Sequence, residues 1–188
     1  METLTPKPFC SNKDQIKAFV LGCDPTGFDK NGNRLEFEYI FDIGKDKRYF
    51  AGILSNLAQV GLSLDDIYVQ NLITEYLNTE SSKNKAWLKI AAGYISARKL
   101  EFDQIDRHRQ LPVFLTSELL TKAILNDHQP KYTASELYEN PDLIPLTPQT
   151  NKLERPLIPL YRHTAYRLSH QADYAKRLRE LLKNYTHE

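Results

Sequence analysis

Residues 16–27, IKAFVLGCDPTG, join a short apolar run to an abrupt polar turn. The run 16–22 is brief, partly β-branched and stopped by Gly22 and then Pro25, the pattern of a buried strand. Working outward, the same pattern returns in DIYVQNLIT (66–74), LPVFLT (111–116) and PLIPLY (156–161). Helical spacing lies between these runs. In RYFAGILSNLAQVG (48–61), Tyr49, Phe50, Ile53, Leu54, Leu57 and Val60 share one face and Gly61 is the stop signal. Residues 85–105 read as mostly one helix, with Trp87, Ile90, Ala91 and Ile95 on a face, and SELLTKAILN (117–126) as the next. From Gln171 the last helix aligns Tyr174, Leu178, Leu181, Leu182 and Tyr185. RLEFEYIFDI (34–43) alternates as a strand does, and reads either as a strand or as an extended aromatic-bearing loop.

Strands alternating with helices imply right-handed crossovers and a mainly parallel sheet covered on both faces. The expected fold is therefore α/β: one domain over residues 1–188, three layers α/β/α, with a central, mainly parallel four-stranded sheet. Residues 1–15 form a polar lead. The proline-rich segment 126–156 is expected to be a structured insertion or a flap, within which Thr133 and Glu136 fit a capping box for a short helix.

Composition narrows the function classes. The chain has 188 residues, 41% of them hydrophobic, enough to bury a sizeable core without disulfide staples. Twenty-five basic and 24 acidic residues leave a net charge of +1, so an anionic partner must be met by a local patch. Such a patch is available: residues 155–188 hold seven Lys or Arg against three Asp or Glu. Cys10 and Cys23 lack metal-ligand spacing, and no cofactor is expected. DKNGN (29–33) has its glycine in the fourth position where a calcium loop needs it in the sixth. No run of about 20 apolar residues occurs, so a soluble, intracellular (cytoplasmic) protein, by default a monomer, with no membrane contact is expected.

In open parallel sheets, ligands bind beyond the carboxyl ends of the strands. Asp24 follows the first strand, Asn71 lies late in the second, and His163 comes two positions after the fourth. The three are expected on one rim. Each also has a plainer reading: Asp24 as an Asx-turn residue before proline, Asn71 as a buried amide satisfying a loop, His163 as a cap on the final helix or bonded to a carbonyl.

GCDPTG, YVQNLIT and RHTAYRLS together resemble three motifs of the uracil-DNA glycosylase superfamily, in order and with similar spacing across residues 16–184. The resemblance implies hydrolysis of the N-glycosidic bond of uracil or a related damaged base in DNA, or, in a non-catalytic descendant, a retained base pocket that binds a nucleobase, nucleic acid or protein. It implies that Asp24 holds the attacking water and faces the cation-like sugar, while neutral His163 donates a hydrogen bond to the base as it leaves. It makes Asn71 the amide that reads the base edge and Phe37 the stacking aromatic, with Tyr39 or Phe41 as alternatives. Cys23 and Thr26 would complete the base pocket, and Arg162, Arg167 and Ser169 would contact DNA. Two positions depart from the pattern. Thr164 and Ala165 stand where Pro-Ser usually follows the histidine, and Thr26 stands where a tyrosine usually excludes the methyl group of thymine.

Overall fold

A computed structural model describes residues 5–45 and 50–185. Four strands, β1 (Ala18–Gly22), β2 (Ile67–Asn71), β3 (Val113–Leu115) and β4 (Leu157–Pro159), form one sheet in the order β2-β1-β3-β4, all parallel. Every strand residue is buried. That burial requires helices on both faces. These are α1 (Ala51–Gln59), α2 (Trp87–Ala92), α3 (Ile95–Ile105), α4 (Glu118–Ile124), α5 (Ala134–Glu139) and α6 (Ala172–Tyr185). The fold is the expected three-layer α/β/α arrangement, and no described helix is long and apolar enough to cross a membrane.

Side-chain alternation divides the sheet. Phe19 of β1 stacks on Phe102 of α3 at 4.1 Å, and Tyr68 of β2 meets both rings edge-on. Fully burying one such ring contributes roughly 1.5–3 kcal/mol, so this cluster anchors α3. Residues one step along point to the opposite face. Gly22 and Asn71 are register partners on that second face, at the carboxyl ends of β1 and β2.

Three local expectations are refined. Residues 85–105 form two helices, because Gly93 and Tyr94 close short turns onto Ile90 and Ala91 before α3 begins. A glycine there weakens helix continuity. Residues 34–43 are a loop, since Phe41 and Asp42 take left-handed backbone angles (φ 58° and 54°) that end any extended run. Residues 126–156 are packed into the body: α5 carries the Thr133–Glu136 capping box, Leu146 bridges to Leu157 of β4, and Leu137, Ile144 and Leu153 are buried. Of the helical face assigned to residues 48–61, Tyr49 lies outside the described residues, while Phe50, Ile53, Leu57 and Val60 are buried.

The chain steps from β1 to β2 on one side and then to β3 on the other. That reversal opens a crevice outside the carboxyl ends of β1 and β3, where α/β sheets seat ligands.

Candidate active site

A cleft of about 630 Å³ occupies that crevice, lined by residues that follow three strands: Cys23 and Asp24 after β1, Thr116 to Glu118 after β3, and Tyr161 to His163 after β4. A neighbouring pocket of about 320 Å³ reaches Asn71 at the end of β2. Asp24, Thr26, Phe41, Ser81 and Arg162 line both. The rim thus gathers Asp24, Asn71 and His163, as the strand ends require.

Asp24 is held at both oxygens. Its Oδ1 accepts the Thr26 backbone N–H at 2.9 Å, an Asx-turn, and its Oδ2 accepts the indole N–H of Trp87 at 2.7 Å. The turn reading of this residue is realised, and the same turn holds the carboxylate at the cleft. Thr26 is fixed in turn, its Oγ1 accepting the Leu77 N–H at 2.7 Å. Cys23 is half-buried beside it. Burial pushes the thiol up to about 12, and the Asp24 charge adds to this against hydrogen bonds from Ser117 and Ser81. At neutral pH it is a thiol and not a nucleophile.

Asn71 is 2% exposed, and its Oδ1 has no hydrogen-bond partner among the described residues. Its main chain is well tied: β2 is an edge strand there, and the Asn71 N–H donates to the side chain of Gln70 at 2.9 Å. Gln70 also donates to Glu101 at 3.1 Å, and Glu101 is paired with Arg98 and accepts the Tyr68 hydroxyl. Burial, then the Glu101 charge, drives the Tyr68 pKa upward, so this buried network stays protonated at the phenol. The backbone of Asn71 is fixed from the α3 side while its amide oxygen is left unsatisfied on the other.

Gly22 makes room for that amide. A Cβ at Gly22 would fall 2.1 Å from Asn71 Oδ1 and 2.6 Å from Phe41 Cζ. Gly22→Ala is expected to cost about 1–3 kcal/mol of stability through overpacking and to displace both groups. Chemical denaturation would register the change. Unaltered stability would contradict the role given to this glycine.

Phe37, the expected stacking aromatic, lines the pocket with Asn71, and so does Phe41. Phe41 alone of the two also lines the larger cleft. Its left-handed backbone costs on the order of 1–3 kcal/mol, a conformation that persists only where surroundings enforce it. Here they are Phe50, at 5.3 Å between ring centroids, and the Arg162 guanidinium, 5.3 Å from the ring. Tyr39, the other alternative, packs edge-on to Phe9 and lines neither pocket.

His163 is exposed, and its Nδ1 accepts the Ala165 N–H at 3.2 Å. It caps the short turn Thr164–Tyr166 rather than the final helix. An acceptor Nδ1 places the proton of the neutral ring on Nε2, which is then the donor. The loop that carries it is rooted on both sides. Tyr138 accepts the Tyr161 N–H at 2.8 Å and stacks on Tyr174 at 4.2 Å, and Asn56 of α1 accepts the Leu168 N–H at 3.1 Å. Arg162, exposed, donates its backbone N–H to Thr116 at 3.0 Å and lines both pockets. Arg167 and Ser169 are exposed farther along the same loop and line neither.

Sequence reasoning did not find Trp87, Ser81, Ser117 or Glu118. Trp87 carried a signal only as the single tryptophan of the chain on a helix face. Ser117 and Glu118 had one, following Thr116 directly after the third strand, where the ligand-binding rule for parallel sheets applies. Among the described residues, no three His, Cys, Asp or Glu side chains come together to hold a metal ion. The chain matches no protein-family model and no curated protein.

Proposed function

We propose that the cleft receives a nucleobase turned out of DNA and that the protein hydrolyses the N-glycosidic bond of uracil or a related damaged base, the first step of base-excision repair. The observation that carries this reading is the buried, unpartnered amide oxygen of Asn71 in a pocket that also holds Asp24 and Phe41. Buried acceptors are almost always satisfied, so an orphan one at a cleft wall calls for a donor on a ligand. An imide N–H of uracil is such a donor, and the amide N–H₂ of the same side chain complements the adjacent carbonyl. Cytosine presents the reverse pattern. A site built on a fixed amide rejects it because its own polar groups would be left unpaired.

The chemistry separates charge. Water adds its oxygen to C1′ of the sugar and gives up a proton, while the electron pair of the C1′–N bond leaves with the base. The base departs as an anion and is protonated afterwards, leaving an abasic site. The Asp24 carboxylate orients the water, accepts the proton that it gives up and opposes the positive charge growing on the sugar. His163, with its proton on Nε2, donates to the oxygen on which the base accumulates negative charge. Phe41, or Phe37 beside it, supplies a face against which a base stacks, offsetting part of the cost of leaving the duplex. Arg162 at the cleft, and Arg167 and Ser169 farther along its loop, would contact the backbone around the turned-out nucleotide.

The test is direct. The protein is incubated with single- and double-stranded oligonucleotides carrying uracil, hypoxanthine or xanthine, and abasic sites are cleaved with alkali. Strand scission at the modified base is expected; none on any substrate would overturn the enzymatic reading. Saturable binding without scission would mark the site as a base-binding pocket alone.

A further inference from the structure

Trp87 is the chain's single tryptophan, wholly buried at the start of α2, which packs against α4. Its only polar atom is the indole nitrogen, a donor that cannot accept. When such a ring is buried, that N–H needs an acceptor. Of all the acceptors in the fold it uses the candidate catalytic carboxylate, at 2.7 Å from Asp24 Oδ2 across 63 residues of sequence.

Resting on the reading of Asp24 as the water-orienting carboxylate, we propose that Trp87 is the positioning residue of this site. Through its N–H it locks the second oxygen of Asp24 and so fixes the plane in which the carboxylate meets the cleft. An ionised carboxylate offers about four lone-pair directions. The Thr26 N–H and the Trp87 N–H take one on each oxygen, and they reach the carboxylate from separate segments, the turn after β1 and the first residue of α2. With both in place the group cannot rotate about its Cβ–Cγ bond, and the remaining directions are fixed for a water. With the Thr26 bond alone, one oxygen swings.

Trp87 does not itself line the cleft and is not a catalytic residue. Its bulk has an ordinary core role, so the test separates the N–H from the ring. As the only tryptophan, it can be replaced biosynthetically by 3-benzothienylalanine, which keeps the bicyclic shape and puts sulfur where the N–H stood. The expected result is a kcat for excision lowered about 10²-fold, the usual penalty for a misplaced reacting group, with KM and melting temperature little changed. An unaltered kcat would overturn the proposal.

A second measurement needs no activity. The protein has one indole ¹H–¹⁵N cross-peak, and a charged acceptor moves it downfield of its place beside a neutral one. Asp24→Asn is therefore expected to shift it upfield, and an unmoved peak would overturn the proposal. If the unaltered protein excises no base, the functional reading falls and this peak alone decides the link between Trp87 and Asp24.

Discussion

Asp24→Asn is expected to lower the excision rate by about 10²–10⁴-fold, the range over which a positioned proton-handling group accelerates a reaction. The substitution is nearly isosteric. Asparagine has a single amide oxygen, so it can keep the Thr26 N–H or the Trp87 N–H but not both, and the donor left without an acceptor costs about 1–3 kcal/mol of stability. What is lost is the negative charge facing the sugar and the acceptor for the proton that water gives up. His163→Ala is expected to cost about 10²–10³-fold, the measure of one lost donor to a developing anion. The imidazole is exposed and accepts the Ala165 N–H within its own turn, so folding should be little affected. The two losses should not add in the double variant, since each group stabilises one end of the same separating charge. Single-turnover excision of uracil from duplex DNA by the three variants measures all of this, and wild-type rates for both single variants would remove Asp24 and His163 from the site.

Much of this arrangement is legible in the sequence, and the reason is geometric. Parallel strands bring their carboxyl ends to one edge, so finding four short apolar runs is enough to place Asp24, Asn71 and His163 together without knowing any distance. The Thr133–Glu136 capping box is equally local: both residues and both backbone groups lie within one turn, and the expected bonds are present. What escapes is whatever depends on a single atom or on a distant partner. Periodicity assigns Trp87 to a buried face correctly, yet it says nothing of the one nitrogen that leaves that face to meet Asp24. Alternation in RLEFEYIFDI suggests strand, but Phe41 is forced out of the extended region by Phe50 and Arg162, which lie elsewhere in the sequence. The break between α2 and α3 turns on a glycine inside a helical pattern, a signal that more often means only a weaker helix.

The opposite end of the sheet shows the same limit most strongly, and the largest stability effect is expected there. Arg155, entirely buried, precedes β4; its guanidinium pairs with Asp106, bonds Asp103 at 3.0 Å and the Asp106 carbonyl at 2.7 Å, and sits 5.2 Å from the Phe19 ring. No window of sequence joins residue 155 to residues 103 and 106. Arg155→Ala removes the cation and leaves the Asp106 carboxylate, 10% exposed, without its ion-pair partner, while Asp103 keeps Lys99 and Arg109; the change is worth about 3–5 kcal/mol in comparable buried pairs. Glu154→Gln, one residue away, removes only exposed pairs with Arg109 and Lys99 and is expected to cost no more than about 1 kcal/mol. Burial opposes the charge of Asp103, but bonds from Lys99, Arg109 and Arg155 outweigh it and hold its carboxyl below the ordinary range. A depressed folded-state value means that its contribution is complete above the unfolded value and is lost as pH falls through the folded one. Urea denaturation of the two variants at neutral pH, repeated for the wild type into the acidic range, tests both statements. If Arg155→Ala proves no more costly than Glu154→Gln, the burial of this guanidinium is not what joins α3 to the start of β4. The rim of the cleft would then have to be held by the tyrosine cluster around β4 and the packing of α1, without support from below.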